Sequence, residues 1–361
     1  MDLKAKIPVG VLGATGSVGQ RFVSLLAAHP WFEIAVLTAS ERSAGKRYAD
    51  AVSWGLDQPL DSRLGALTIE PTRPGLPCQL LFSALDAEVA GLLETELARA
   101  GHVVVSNARN HRMDNDVPLI VPEVNPDHLA LAARQTHGGG VILTNPNCST
   151  IGLVLALAPL HRSFGLTAVQ VVTLQALSGA GLPGVPSVAI HDNVIPFISG
   201  EEEKMESETL KVLGRLTPDG VEPAPIAVSA QCNRVAVLDG HTECVSVKLA
   251  RPAGEMEVRA ALAGFSAEPQ RLGLPSAPHP PVALVDERDR PQARLDRGRS
   301  GGMAATVGRV RPCPVLDYRF VVLSHNTIRG AAGGSILIAE LALAKGLIPA
   351  EKLPLATTAR R

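Results

Sequence analysis

The chain has 361 residues, 46% of them hydrophobic and 19% charged, which is enough apolar material for a large core and enough length for two globular domains. Thirty-four Lys and Arg stand against thirty-five Asp and Glu, so the net charge of -1 sets up no global field for nucleic acid or an anionic membrane, and any anion site is local. Five cysteines, an odd number with no Cys-x-x-Cys pair and no zinc-like spacing to histidine, argue against a disulfide framework or a structural metal and predict a reduced, cytoplasmic home.

The N-terminus runs from Met1 to Ile7 without a hydrophobic signal core, straight into a predicted strand at Ile7–Leu12. A turn over 13–19, a helix over 18–28 and a strand over 33–38 complete a βαβ unit that opens a doubly wound sheet. Gly13-Ala14-Thr15-Gly16-Ser17-Val18-Gly19 carries a glycine every third residue between that strand and helix, the spacing of a dinucleotide-binding turn. An NAD site places an acidic residue at the end of the second strand, whereas this chain offers Ser40-Glu41-Arg42-Ser43. Ser40, Arg42 and Ser43 suit a ribose 2'-phosphate and Glu41 a ribose hydroxyl. NADP is the favoured reading.

Further strands are predicted at Leu80–Ser83 and 102–106, separated by a helix over 87–100. An apolar run at 141–143 leads into Asn145-Pro146-Asn147-Cys148-Ser149-Thr150 and a helix over 151–160. A thiol at such a strand-to-helix junction meets unpaired backbone N–H groups and the positive end of the helix dipole, which favour a thiolate and an oxyanion. Beyond it the rhythm changes to strands at 168–177, 226–232 and 244–250 with few helices between them, so the second domain is expected to be mixed or antiparallel. Gln175 ends one strand before the glycine-rich loop Ser178-Gly179-Ala180-Gly181, and Arg234 and His241 flank the turn at Asp239-Gly240. Histidine supplies an acid/base and arginine a planar fork for a carboxylate, although each of these residues has an equally ordinary structural reading. Residues 268–314, rich in Pro, Arg, Asp and Gly, read on composition as a loop excursion. A last helix is expected over 335–347, packed back on the first domain.

These motifs together resemble aspartate-semialdehyde dehydrogenases of the archaeal and fungal-like branch. The likeness runs nearly the full length, through the glycine turn, Ser106-Asn-Ala-Arg-Asn110, Pro146-Asn-Cys-Ser-Thr150, Gln175-Ala-Leu-Ser-Gly-Ala-Gly181, Gly200-Glu-Glu-Glu-Lys-Met205, Asn233-Arg234, Gly240-His-Thr-Glu243 and Ser324-His-Asn-Thr-Ile-Arg-Gly330. The cysteine motif, with Asn147 before and Ser149 after, differs from the Gly-Cys-Tyr-Pro pattern of N-acetyl-glutamyl-phosphate reductases.

The resemblance implies a Rossmann-type NADP-binding domain over 1–149, completed by the C-terminal helix of about 327–361, and an α+β catalytic and dimerisation domain with a mixed sheet over 150–326. It implies Cys148 as nucleophile, His241 as acid/base and Gln175 as orienting residue. Arg234 would clamp the substrate α-carboxylate, Glu201 would meet its amino group, and Lys204, Arg109 and Asn147 would bind phosphate. Gly13, Thr15, Gly16, Ser17, Val18, Ser40, Arg42, Ser43, Ser83, Ser178, Gly179 and Asn326 would hold NADP. The implied reaction is reduction of β-aspartyl phosphate to aspartate semialdehyde through a cysteine thioester, in biosynthesis of lysine, threonine, methionine and isoleucine, by a homodimer or homotetramer. Malonyl-CoA or succinyl-CoA reduction, and a non-catalytic NADP-sensing role, are the alternatives.

Overall fold

The computed structural model describes residues 5–348, which divide into two compact units: 5–118, 129–145 and 335–348 form the first, 119–128 and 146–334 the second. The part of the expected C-terminal helix beyond residue 348 lies outside the described residues.

The first unit is built on six parallel strands, β1 (Ile7–Leu12), β2 (Phe32–Ala39), β3 (Ile69–Pro71), β4 (Leu80–Ser83), β5 (Val103–Ser106) and β6 (Val141–Thr144), in the order β3-β2-β1-β4-β5-β6. That is the doubly wound dinucleotide-binding order, with the chain reversing direction across the sheet between β1 and β4. β4 and β5 are buried at every position, as strands covered on both faces must be. Helix α1 (Ser17–Leu26) follows β1 directly, and α2 (Ala87–Arg99) joins β4 to β5. Leu12, Val36, Leu81, Val104 and Ile142 form a core shared with Leu97 of α2.

The second unit carries a mixed sheet. Its strands are β7 (Leu166–Gln175), β10 (Ala227–Arg234), β11 (His241–Leu249), β12 (Val282–Val285), β13 (Ala305–Pro312) and β14 (Tyr318–Ser324), in the order β10-β7-β11-β14-β13-β12, and a small hairpin, β8 (Arg215–Thr217) with β9 (Gly220–Glu222), stands apart. β10 runs parallel to β7 and β12 to β13, while the other pairs are antiparallel. Helices α3 (Cys148–Phe164), α4 (Glu201–Val212) and α5 (Glu255–Ala263) cover one face. α3 is buried from Ser149 through Leu160, which its nearly unbroken run of Leu, Ala, Val and Ile requires. Helix α6 (Gly333–Ala344) closes the described chain.

Two readings from composition change. The stretch 268–314 is not a loop excursion: it supplies the whole of β12 and β13, a parallel pair at the sheet edge that the surrounding Pro and Arg conceal. β11 starts at His241, three residues earlier than its hydrophobic run suggests, because antiparallel pairing to β14 carries a polar residue into the sheet. Among the described residues no helix is long and apolar enough to cross a membrane.

Candidate active site

Strand register brings the second-unit residues together. Arg234 on β10 lies opposite Gln175 on β7, the β7–β11 pairing that ends at Thr242 and Leu174 carries His241 beside Gln175, and His241 faces Ser324 on β14. One row across four strand ends therefore holds a cation, an amide, an imidazole and a hydroxyl. Cys148 is the first residue of α3, and its Sγ is 3.2 Å from His241 Nε2. Asn147 caps the helix, its Oδ1 accepting from the backbone N–H of Ser149 at 2.9 Å and of Thr150 at 3.4 Å.

The orientation of His241 is fixed from behind. Its Nδ1 accepts the backbone N–H of Ala176 at 3.0 Å, so the neutral ring carries its proton on Nε2, facing sulfur. Complete burial, with Arg234 adding to it, pushes its pKa down to about 3. Sequence reasoning treats this histidine as a group of near-neutral pKa, whereas burial in the fold favours its neutral form.

Glu201, the first residue of α4, is buried beside this row. Its Oε1 accepts from Lys204 Nζ at 2.6 Å, and its Oε2 from Asn147 Nδ2 at 2.9 Å and Gln175 Nε2 at 3.3 Å. Burial alone would raise its pKa, yet Lys204 and the two amides outweigh that and hold it below the usual carboxylate value. Gln175 also donates to Ser149 Oγ, and Glu208 accepts the Asn147 backbone N–H at 2.6 Å.

Gly179 passes so close that a Cβ there would lie 2.9 Å from an Arg234 Nη and 3.1 Å from the His241 ring. Asn326 donates to Ser178 Oγ at 2.8 Å and accepts the Gly240 N–H at 2.8 Å, which ties the 178–179 loop to the turn before His241.

The nucleotide-turn residues belong to the first unit. Gly13 has φ +70°, and a Cβ at Gly19 would meet Gly13 O at 2.2 Å, so neither position admits a side chain without rearrangement. Gly16 is the N-cap of α1 with no side-chain hydrogen bond to the helix, and the first turn has no acidic residue. An α1 N-terminus without a side-chain cap, reached through glycines, fits a pyrophosphate, with Thr15, Ser17 and Val18 beside it. Ser40 and Arg42 are exposed and Ser43 half-buried on the turn after β2, whose own end, Thr38-Ala39, bears no carboxylate. Ser83 is fully buried, with its hydroxyl engaging Glu94 and its carbonyl accepting from the backbone N–H and side-chain Nδ2 of Asn107, each at 3.1 Å. Arg109 is exposed in the turn after β5. Among the described residues no group of three His, Cys, Asp or Glu is placed to hold a metal.

Residues 8–132 match the NAD binding domain of semialdehyde dehydrogenases and residues 157–329 their dimerisation domain. An aspartate-semialdehyde dehydrogenase of Cryptococcus neoformans is 50% identical over 96% of this chain and 100% of its own length. The chain belongs to the aspartate-semialdehyde dehydrogenase family. An archaeal aspartate-semialdehyde dehydrogenase, from Methanothermobacter thermautotrophicus, is 50% identical over 93% of this chain and 98% of its own. The crystal structure of the Candida albicans aspartate-semialdehyde dehydrogenase with NADP superposes with a TM-score of 0.89 at 47% identity, covering 95% of this chain and 100% of that one.

Within this aspartate-semialdehyde dehydrogenase framework, three contributors escape a reading of motifs: the Ala176 N–H behind His241, the Ser149 hydroxyl on Gln175 and the Glu208 carboxylate on Asn147. A backbone donor has no sequence signature. Ser149 does have one, as the residue after the cysteine. Glu208, seven residues beyond Glu201 on α4, is two helical turns away and so on the same face.

Proposed function

We propose that the chain uses NADPH to reduce β-aspartyl phosphate to aspartate semialdehyde and phosphate, by way of a thioester on Cys148. The observation that carries this reading is the 3.2 Å approach of Cys148 Sγ to His241 Nε2 at the head of α3, with Arg234 and Glu201 facing the same place. Cys148 as thiolate attacks the acyl carbon, the carbon–oxygen bond to phosphate breaks and the thioester forms. The nicotinamide, when bound, supplies the hydride that reduces this thioester. The resulting thiohemiacetal oxyanion collapses with cleavage of the carbon–sulfur bond, which frees the aldehyde and restores the thiolate, and the one proton the reaction consumes goes to the departing phosphate.

His241, neutral and carrying its hydrogen on Nε2, then acts as a fixed donor to the sulfur and the developing oxyanion. Gln175 orients the acyl group, Arg234 takes the α-carboxylate and Glu201 the amino group, with Lys204 and Asn147 meeting phosphate. The nucleotide is assigned to Gly13, Thr15, Gly16, Ser17 and Val18, and its 2'-phosphate to Ser40, Arg42 and Ser43. The chain assembles as a homo-oligomer through the second unit, with a dimer as the smallest form.

The test is the reverse reaction: aspartate semialdehyde, phosphate and NADP+ or NAD+ with the wild type and with Cys148→Ala. Phosphate-dependent reduction of NADP+ is expected from the wild type only, with the variant still binding NADPH by fluorescence titration. Turnover by the variant removes the thioester. Turnover that needs CoA in place of phosphate transfers the chain to acyl-CoA reduction.

A further inference from the structure

The register that assembles the catalytic row continues beneath it. Two residues further from the strand ends, Cys232, Thr173, Glu243 and Val322 form the next row across β10, β7, β11 and β14, and Ala230, Val171, Val245 and Phe320 the row after that. The upper row is the site, and Val171, Val245 and Phe320 belong to the apolar core. The middle row places a carboxyl group between them.

Glu243 is 1% exposed and, among the described residues, neither of its carboxyl oxygens has a hydrogen-bond partner. Ser324 Oγ, in the row above, has none either, and Thr173 Oγ1 has only the weak Cys232 thiol beside it. These groups share one face of the sheet, beneath the start of α3. Gly152, one turn along α3 from Cys148, lies over it: a Cβ there would stand 2.6 Å from Ser324 Oγ and 3.6 Å from Glu243 Oε1. A buried polar atom left unpaired costs about 1–3 kcal/mol, and native proteins answer a cluster of them with ordered water, which both donates and accepts. We propose that Glu243, Ser324 and Thr173 form a buried water-binding chamber beneath the first turn of α3, and that Glu243 is a positioning residue of the catalytic row.

The groups facing Glu243 are Thr173 and, beyond it, Cys232 on the β7 and β10 side, Ser324 and Val322 on β14, Gly152 on α3, and His241 above it on its own strand. Arg234 belongs to the row above and Cys148 to the head of α3, and among the described residues no cation pairs with the carboxyl group. Burial without a counter-charge keeps Glu243 protonated, well above the usual carboxylate range. A protonated carboxyl group donates one hydrogen bond to the water and accepts others, and it adds no negative charge under Cys148 and His241. The water joins β11 to β7 and β14 beneath the catalytic row, so β11 holds His241 at a fixed height below sulfur.

Crystallography, thermal melting and kinetics test this with three variants of the whole protein. Ordered solvent is expected within hydrogen-bonding distance of both the Glu243 carboxyl group and Ser324 Oγ. Because the folded pKa of Glu243 is raised, its stabilising effect is complete below the unfolded value and is lost as pH rises toward the folded one. Glu243→Gln, which has no proton to keep, is therefore expected to gain Tm over the wild type by an amount that grows as pH rises above the unfolded carboxylate value of about 4.3. Its kcat stays within about threefold.

Glu243→Leu, which displaces the water, is expected to lose about tenfold or more in kcat with KM little changed, and to slow alkylation of Cys148 by iodoacetamide. If the leucine variant does not fold, Ser324→Ala reads the same effect from the other wall. A solvent-free chamber, a pH-independent Tm difference for Glu243→Gln, or ordinary kcat and alkylation in the leucine variant (or in Ser324→Ala where that variant does not fold) each overturns the proposal. The melting, alkylation and crystallographic results do not depend on the substrate assignment, so their failure is distinct from failure of the proposed reaction.

Discussion

Arg234 is 6% exposed on β10, with one Nη donating to the Ala176 carbonyl at 2.6 Å. Burial lowers its pKa below the usual guanidinium value while the neighbouring Cys148 and Glu201 act in the opposite sense. In the proposed role Arg234→Leu raises KM for aspartate semialdehyde about 30-fold or more, the equivalent of losing about 2 kcal/mol from a shielded charge-assisted pair. Arg234→Lys restores only part of this, having no second nitrogen to keep Ala176 while meeting the carboxylate. Steady-state kinetics measure both, and an unchanged KM removes the carboxylate clamp. His241 is read through stability. Its folded pKa of about 3 lies below the unfolded value, so its contribution is complete above roughly pH 6.5 and is lost as pH falls toward 3. Denaturant titrations of wild type and His241→Asn between about pH 6.5 and about pH 4.5 are expected to diverge, with the wild type losing up to about 1.4 kcal/mol more per pH unit. Parallel slopes would mean that His241 is solvated or charged in the fold.

At the scale of elements, the head of α3 is positioned from both sides. Asn147 caps it, and the turn Ile328–Ala332 packs so closely that a Cβ at Gly330 would lie 2.6 Å from Cys148 Cβ and 3.0 Å from its Cα. Arg329 in that turn makes a fully buried two-pronged pair with Glu123, at 2.9 and 2.5 Å, so the turn has little freedom to retreat. Gly330→Ala is expected to displace Cys148, to cost about 1–3 kcal/mol in a melting experiment and to reduce kcat by at least about tenfold. Normal kcat would show that sulfur tolerates a shifted helix start. Such dependence on neighbours explains which parts of the chain could be read in advance. The strand, glycine turn and helix from Ile7 to Leu26 carry local periodicity and punctuation, and so does the strand-to-helix junction at Cys148. β12, β13 and the start of β11 do not: their strand character comes from partners far along the chain, and the Pro, Arg and His within or beside them argue locally for loops. For the same reason Cys148, His241 and Arg234 stand out by residue type, while the Ala176 N–H that selects the tautomer of His241 is visible only once the strands are paired.

At the scale of the whole molecule, the second sheet presents a face that α3, α4 and α5 leave uncovered. Along β7 and β11, burial alternates between core and surface, and Leu174 remains 37% exposed. Val172, Cys244 and Val321 form a cross-strand row on that face, at the centre of the region that matches the family's dimerisation domain. A half-apolar sheet face of this kind is covered economically by a second copy, since a two-fold axis places the same row opposite itself. Cys244→Asp puts an unpaired carboxylate in the middle of the row, and two-fold symmetry puts it there twice. Leaving a charge buried without a partner costs about 3–5 kcal/mol, which is enough at micromolar protein to separate subunits held at nanomolar affinity. Light scattering is expected to give a mass at least halved relative to the wild type, with unchanged far-UV circular dichroism because the substituted side chain faces away from the core. An unaltered mass would place the contact between subunits on another surface.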